Sequence, residues 1–505
     1  MDFDSRLVDV PADRSGLARE TNWWGAFVIG LAGTILVIGL VGYALVALGG
    51  FAIVLFVILT LLGVLLCFCL AELASTFPER AGGLPSYAYE TFLPLGRRVA
   101  VHMGGLSSWA YWLGWFTVAP INAYLAAVYV NDLFDIQFGG EFGPLHEKFG
   151  SVVQVDVFVV ALILLLFMFV PSWLGIRLGA TFATVLGVAS IVPLVLLIVL
   201  PLFKPSTIDF GNLDGLGLPA GVEMSWQLVL GWAFIFTWTV LAMEAAACYI
   251  GECREPVRDA KIAMTAEGLF GLFIYVTLPV MLLAVLGTAG LTALGTADAP
   301  FFGDASALFN GYVDAIFGTS TFWEWFVGLA IIAALLLSVL NATMGASRGL
   351  YQNAQDGTLP RALGWVNRHG APSTAMVVSL VASAAVLLVG SPLQIYVFSN
   401  MGYLLALALA LVGYGIFRAM RNTVERELVM PRWMGPAGFV TGVAFLLLWA
   451  IGGYYAADYA VGAGFRWLYW VGLILVALYF PLYWWRRLED RAISSGEAVE
   501  EGVPG

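Results

Sequence analysis

Apolar runs near twenty residues recur from end to end of this chain, and no other feature limits its possible folds so severely. A helix rises about 1.5 Å per residue, so roughly twenty apolar residues cross the ~30 Å hydrocarbon core of a bilayer. Twelve spans are expected, at approximately 23–46, 51–74, 101–130, 152–170, 177–202, 226–250, 264–288, 323–346, 373–389, 394–417, 437–456 and 466–485. Composition agrees, because 61% of the 505 residues are hydrophobic and only 11% charged, with a mean hydropathy of +0.89. The fold class is therefore an all-α polytopic membrane protein embedded in a lipid bilayer. A soluble domain of this size does not have such a composition, and nothing points to nucleic acid as a partner.

The basic residues give the chain a direction. Arg6, Arg14 and Arg19 precede the first span, and Arg80, Arg97 and Arg98 follow the second. Arg177 follows the fourth; Arg254, Arg258 and Lys261 the sixth; Arg348, Arg361 and Arg368 the eighth. Arg418, Arg421, Arg426 and Arg432 follow the tenth, and Arg486, Arg487 and Arg491 the twelfth. Twenty of the 23 Lys and Arg residues thus share one side, with only Lys148, Lys204 and Arg466 opposite. Positively charged loops stay in the cytoplasm, so both termini are expected there and the protein in the plasma (inner) membrane. The other side carries acids: Asp132, Asp135, Glu141, Glu147, Asp209, Asp214, Asp298, Asp304, Asp314 and Asp458. An acidic mouth enriches cationic solutes; a solvated outer face explains the same residues.

One stretch breaks the apolar pattern. Trp226–Lys261 begins as a span, sets Glu244 among apolar residues, and leaves through Glu252, Arg254, Glu255, Pro256 and Arg258. A carboxylate inside a span costs several kcal/mol unless it faces protein or water, so it marks a functional site by default. Two roles stay open for Glu244: a hydrogen-bonded structural carboxylate, or a counter-charge for a substrate amine or proton. The first span is glycine-rich, with Gly30, Leu31, Ala32, Gly33 and Thr34 at its middle. Glycines there permit either unwinding, which frees backbone N–H groups for a substrate carboxylate, or close helix packing. The third span holds Trp109, Trp112, Trp115 and Pro120, read as packing aromatics rather than a cation site. Four cysteines lie within or at the ends of spans and three histidines are scattered, so neither disulfides nor a metal centre is expected. The first 22 residues lack a short apolar core and read as a tail rather than a signal peptide.

Three segments resemble the amino acid–polyamine–organocation (APC) permeases. In the sixth span, Glu244, Glu252, Pro256 and Arg258 match that family's Glu–Glu–Pro–Arg spacing, although Ala242 stands where the family has glycine. Glu72, Pro78, Gly82, Gly83, Tyr87 and Tyr89 match the segment after its second span. Arg348, Tyr351, Ala354, Asp356, Gly357, Leu359 and Pro360 match its loop after span eight. The resemblance implies the fold known from LeuT. Residues 1–22 are then a cytoplasmic tail, 23–202 and 226–417 a 5+5 inverted repeat, 437–485 two further C-terminal helices, and 486–505 a second tail. It also implies breaks in spans one and six, with substrate held by Gly30, Ala32, Gly33, Thr34, Trp238, Ala242 and Glu244. Glu72, Glu252 and Arg348 become gating residues if Arg348 pairs with Glu72 or Glu252; a plain positive-inside anchor explains Arg348 equally well. Ser190 aligns with a lysine that proton-coupled members carry in span five, so that lysine mechanism is absent here.

The implied function is a secondary active transporter of amino acids by alternating access, proton-coupled or exchanging, and not an enzyme. For protons the candidate groups are Glu244 and the more peripheral Glu267; Ser338 and Thr343 are candidates for sodium. A carrier of polyamines or other organic cations is the alternative within transporters, and a channel or a transport-inactive sensor the alternative outside them. No P-loop is present, which excludes ATP-driven pumping by this chain alone, and no cofactor is expected.

Overall fold

The computed structural model describes residues 19–80, 82–142, 153–294, 305–389, 391–420 and 424–500. Arg6, Arg14, His146, Glu147, Lys148, Asp298, Asp304, Gly390 and Arg421 lie outside the described residues. The polypeptide is a polytopic membrane protein of the all-α class, and among the described residues eleven helices are long and apolar enough to cross a bilayer. They run over Trp23–Leu48, Phe51–Thr76, Arg97–Phe134, Val155–Trp173, Ile176–Phe203, Trp226–Glu252, Pro256–Leu294, Thr321–Gln355, Pro392–Met420, Met434–Ala460 and Trp467–Ile493. The expected ninth span is a shorter apolar helix, Ser373–Val389. Below, helices keep their chain order with this one counted ninth.

Burial divides the bundle into an inner and an outer set. In the tenth, sixth, first, third and eighth helices, 83–94% of the most apolar window is buried inside the protein. In the fourth, fifth and eleventh only 39% is buried, and in the twelfth 22%. The outer helices turn Ile163, Phe167, Val185, Val192, Val440 and Ile474 outward, as a surface against hydrocarbon requires. The inner set therefore builds the environment of any buried polar group.

Several helices are interrupted. The third bends at Thr117, just ahead of Pro120, whose missing N–H removes a helical hydrogen bond. The seventh leaves helical geometry at Gly287 (φ 64°). The eighth stops at Gln355, where Asp356 caps it and Gly357 takes a φ of 74°. Shorter elements lie between the spans: a helix over Leu84–Phe92, another over Ala305–Phe317, and an antiparallel ribbon pairing Glu141–Phe142 with Val153–Gln154. The sequence pattern does not announce them, because each is too short for a periodicity to register.

The loops sort to two ends. At the arginine-rich end, Thr21 N–H donates to Glu252 O (3.2 Å) and Arg254 N–H to Thr21 O (3.0 Å), tying the start of helix one to the exit of helix six. Arg80 bridges Glu90 (2.6 Å) and Asp356 (2.8 Å). Burial pushes the Asp356 carboxyl above its ordinary range, against the pull of the adjacent Arg80. Arg486 Nη1 donates to the carbonyls of Ala354 and Leu359, both at 2.9 Å. At the opposite end, the 3₁₀ segment Phe210–Leu216 and its flanks cover helices two and seven, through Phe51 N–H to Gly217 O (3.2 Å) and Asp209 N–H to Ala284 O (3.0 Å).

Candidate functional site

Helix six changes winding at its functional stretch. It is α-helical over Trp226–Val240 and 3₁₀ over Leu241–Glu252. Twelve residues of 3₁₀ far exceed the usual three or four, and such a stretch inside a helix commonly marks a hinge. The change begins at Leu241, beside the Ala242 break that the family resemblance implies, although no glycine is there to permit it. Helix one changes as well, but a turn later than expected. It is α-helical over Trp23–Ile35, 3₁₀ over Leu36–Gly39 and α-helical again over Val41–Leu48.

Unwinding at Gly30–Thr34 is thus not what the glycines do. A Cβ on Gly33 would lie 1.9 Å from Ala242 O, and one on Gly30 would lie 2.6 Å from Ala246 N. These glycines let helix one press its backbone against the 3₁₀ half of helix six, which is the packing alternative. The seam is stitched by polar groups from other helices. Tyr275 Oη donates to Gly33 O (3.0 Å) and Thr239 O (2.8 Å), and Ser338 Oγ to Ala32 O (3.0 Å). Gly83 closes on the same half of helix six from another side. Its φ is 67°, and a Cβ there would meet Cys248 N at 2.6 Å.

Glu244 lies at the start of the 3₁₀ half and is fully buried. Its Oε1 accepts from Tyr111 Oη (2.9 Å), Tyr403 Oη (3.1 Å) and Trp115 Nε1 (3.3 Å). Its Oε2 has no partner. All three donors are neutral, and among the described residues no Lys or Arg pairs with it. The packing reading of the third-helix aromatics applies to Trp115 as well, whose ring centroid lies 5.9 Å from that of Tyr111 and 6.1 Å from that of Tyr403, although its Nε1 and Tyr111 Oη also bond the carboxylate. It holds for Trp109, whose Nε1 bonds Leu475 O (2.9 Å), and for Trp112, whose Nε1 bonds Ser379 Oγ (2.9 Å). The available signal was spacing: Tyr111 and Trp115 are four apart, so they share one helix face.

The other expected site residues scatter around this centre. Thr34 Oγ1 donates to Glu267 Oε2 (3.3 Å), so Glu267 is not peripheral. Trp238 packs on Tyr396 of helix ten, with ring centroids 4.4 Å apart. Ser190 bonds back to its own helix at Leu186 O (2.8 Å) and Gly187 O (3.1 Å). Thr343 does the same at Val339 O (2.8 Å), whereas Ser338 crosses to helix one.

The expected gating residues form two separate clusters. Arg348 pairs with Glu252, not Glu72: Nε donates to Oε1 and Nη2 to Oε2 (3.0 Å), while Nη1 takes Met344 O (2.7 Å). Both side chains are buried. Glu72 is held instead by Arg418 Nη1 (2.7 and 2.8 Å), Arg426 Nη1 (3.0 Å), Tyr414 Oη (2.7 Å) and Met430 N–H (3.1 Å).

A buried carboxylate with no cation, set where an inner helix of a membrane protein changes winding, marks a functional site inside the bilayer. A family model described as amino acid permease matches residues 22–479. The chain belongs to that family, within the APC superfamily.

Proposed function

We propose that this permease is a secondary active carrier that moves amino acids across the plasma membrane by alternating access, with both termini in the cytoplasm. The observation that carries the reading is Glu244. A buried carboxylate with three neutral donors and one free oxygen offers a place for a substrate ammonium, which supplies the missing cation. Glu244 sits where helix six changes winding, and Gly30 and Gly33 press on that half of the helix, with Ala32 and Thr34 beside them in helix one, so a solute bound there touches both interrupted helices. Ala242 and Trp238 flank the carboxylate in sequence. Glu252–Arg348 and the Glu72 cluster close the arginine-rich end, which makes them gating contacts.

A second reading is a carrier of amines that lack a carboxylate. It is favoured by the unbroken α-helix through Gly30–Thr34, whose N–H groups stay in helical hydrogen bonds. Purified protein in liposomes, loaded with unlabelled solute and offered labelled solute, tests both. Counterflow with amino acids supports the first, counterflow with amines alone the second, and electrogenic flux without counterflow a channel. Sidedness is checked by single cysteines: one at 205–220 reacts with an impermeant maleimide from outside, and one at 350–365 does not.

A further inference from the structure

Glu267, on helix seven, is a second fully buried acid with no ion-pair partner among the described residues. Its Oε2 has one long bond, from Thr34 Oγ1 at 3.3 Å, and its Oε1 has none. That free oxygen lies in the seam between helices one and six. A Cβ built on Gly30 would touch Glu267 Oε1 and Ala246 N at the same distance, 2.6 Å. Glu244 and Glu267 therefore work on different contacts: Glu244 faces donors on helices three and ten, Glu267 a donor on helix one.

The groups around Glu267 are few. Helix two contributes Cys67, helix six contributes Glu244, and helix seven itself contributes Tyr275. The residue helix one sets against it, Thr34, does not titrate. Tyr275 already spends its hydroxyl on Gly33 O and Thr239 O. No group there compensates a negative charge. The side-chain oxygens that meet there are those of Glu267 and Thr34, and no His, Cys, Asp or Glu cluster able to hold a metal occurs among the described residues. A proton is the ligand that fits.

We propose that Glu267 is a proton site, separate from the substrate carboxylate Glu244, whose loading couples solute movement to the proton gradient. This rests on the carrier reading given above. With the seam closed, as here, the charged form is sealed from water without a cation, which is unfavourable. Separating helix one from helix six admits water to Oε1 and removes that cost. Proton binding therefore favours the closed seam and proton release the open one, and the linkage is reciprocal. One proton adds to the carboxylate from one solution and leaves to the other; no other bond changes.

The test uses full-length wild type and Glu267→Gln in liposomes, with the labelled amino acid that wild type exchanges fastest. A gradient of one pH unit, acid outside, is expected to drive up to ~tenfold accumulation by wild type. Glu267→Gln is expected to keep counterflow at equal pH, to equilibrate without accumulating, and to lose the alkalinisation of external buffer that accompanies uptake. Accumulation by the Gln variant equal to wild type overturns the proposal, as does accumulation by wild type driven by sodium alone. Should the Gln variant also lose counterflow, Glu267→Asp decides: restored pH-driven accumulation supports the proton role, and a folded but inactive Asp variant overturns it. Absence of counterflow in wild type overturns the carrier reading itself, a result distinct from any failure at Glu267.

Discussion

Four glutamates are buried among the described residues, and they come in two kinds. At the arginine-rich end, Glu72 and Glu252 are each gripped by guanidinium groups, with Arg418 and Arg426 on the first and Arg348 on the second. Farther into the bundle, Glu244 on helix six and Glu267 on helix seven have only neutral donors, and each keeps one oxygen without a partner. Burial is the same for all four, at 0–2% exposure. The difference lies in what happens when something changes. A paired carboxylate is already at its best, and losing the partner strands a charge. An uncompensated carboxylate improves when a cation or proton arrives. The first kind suits a closure that must hold, the second a site that must load and unload.

The comparison breaks most visibly at Arg348. Arg348→Met leaves Glu252 buried and charged, which costs about 3–5 kcal/mol. The expected result is poor recovery and a melting temperature far below wild type in detergent. Adding Glu252→Leu removes the stranded charge and restores much of the loss. If the single variant melts like wild type, the pair is not a lock and the two kinds of glutamate merge.

Glu244→Gln is expected to do the opposite to stability. Gln keeps the shape and accepts from the same donors while deleting a charge that has no cation, so melting is unchanged or raised. Transport falls tenfold or more if the lost interaction is ~1.4 kcal/mol or larger, and residual uptake keeps the pH dependence that Glu267 supplies. Uptake at wild-type level would assign Glu244 a structural role instead.

The smallest effect sharpens the local picture. Tyr403→Phe removes one of three donors to Glu244 Oε1, and a hydrogen bond to a charged group contributes roughly 1.5–3 kcal/mol. Because Tyr111 and Trp115 remain, the lower end is expected, read as a rise in KM of about tenfold with little change in melting. A full loss of uptake would mean that Tyr403 touches the solute directly.

The fold and the site were legible to different degrees. Span positions follow from hydropathy, and the matches at Glu72, Glu244, Glu252 and Arg348 follow from fixed local spacing. The partners do not. Tyr111 and Tyr403 meet Glu244 across 133 and 159 positions, and Thr34 meets Glu267 across 233. Nothing in a local pattern chooses Glu252 over Glu72 for Arg348, because both acids lie within reach of the same end of the bundle.

The sequence by itself determined that this chain crosses the membrane many times, that its basic residues gather on one side, and that an acid sits inside its sixth span. Each is a property of composition over one helix length, which the bilayer reads directly through the cost of burying polar atoms. Tertiary structure alone decided that Gly30 and Gly33 serve contact rather than unwinding, since only the approach of Ala242 and Ala246 leaves no room for a Cβ. It also decided which buried acids have a cation, because charge compensation depends on distances between helices that are far apart in the chain.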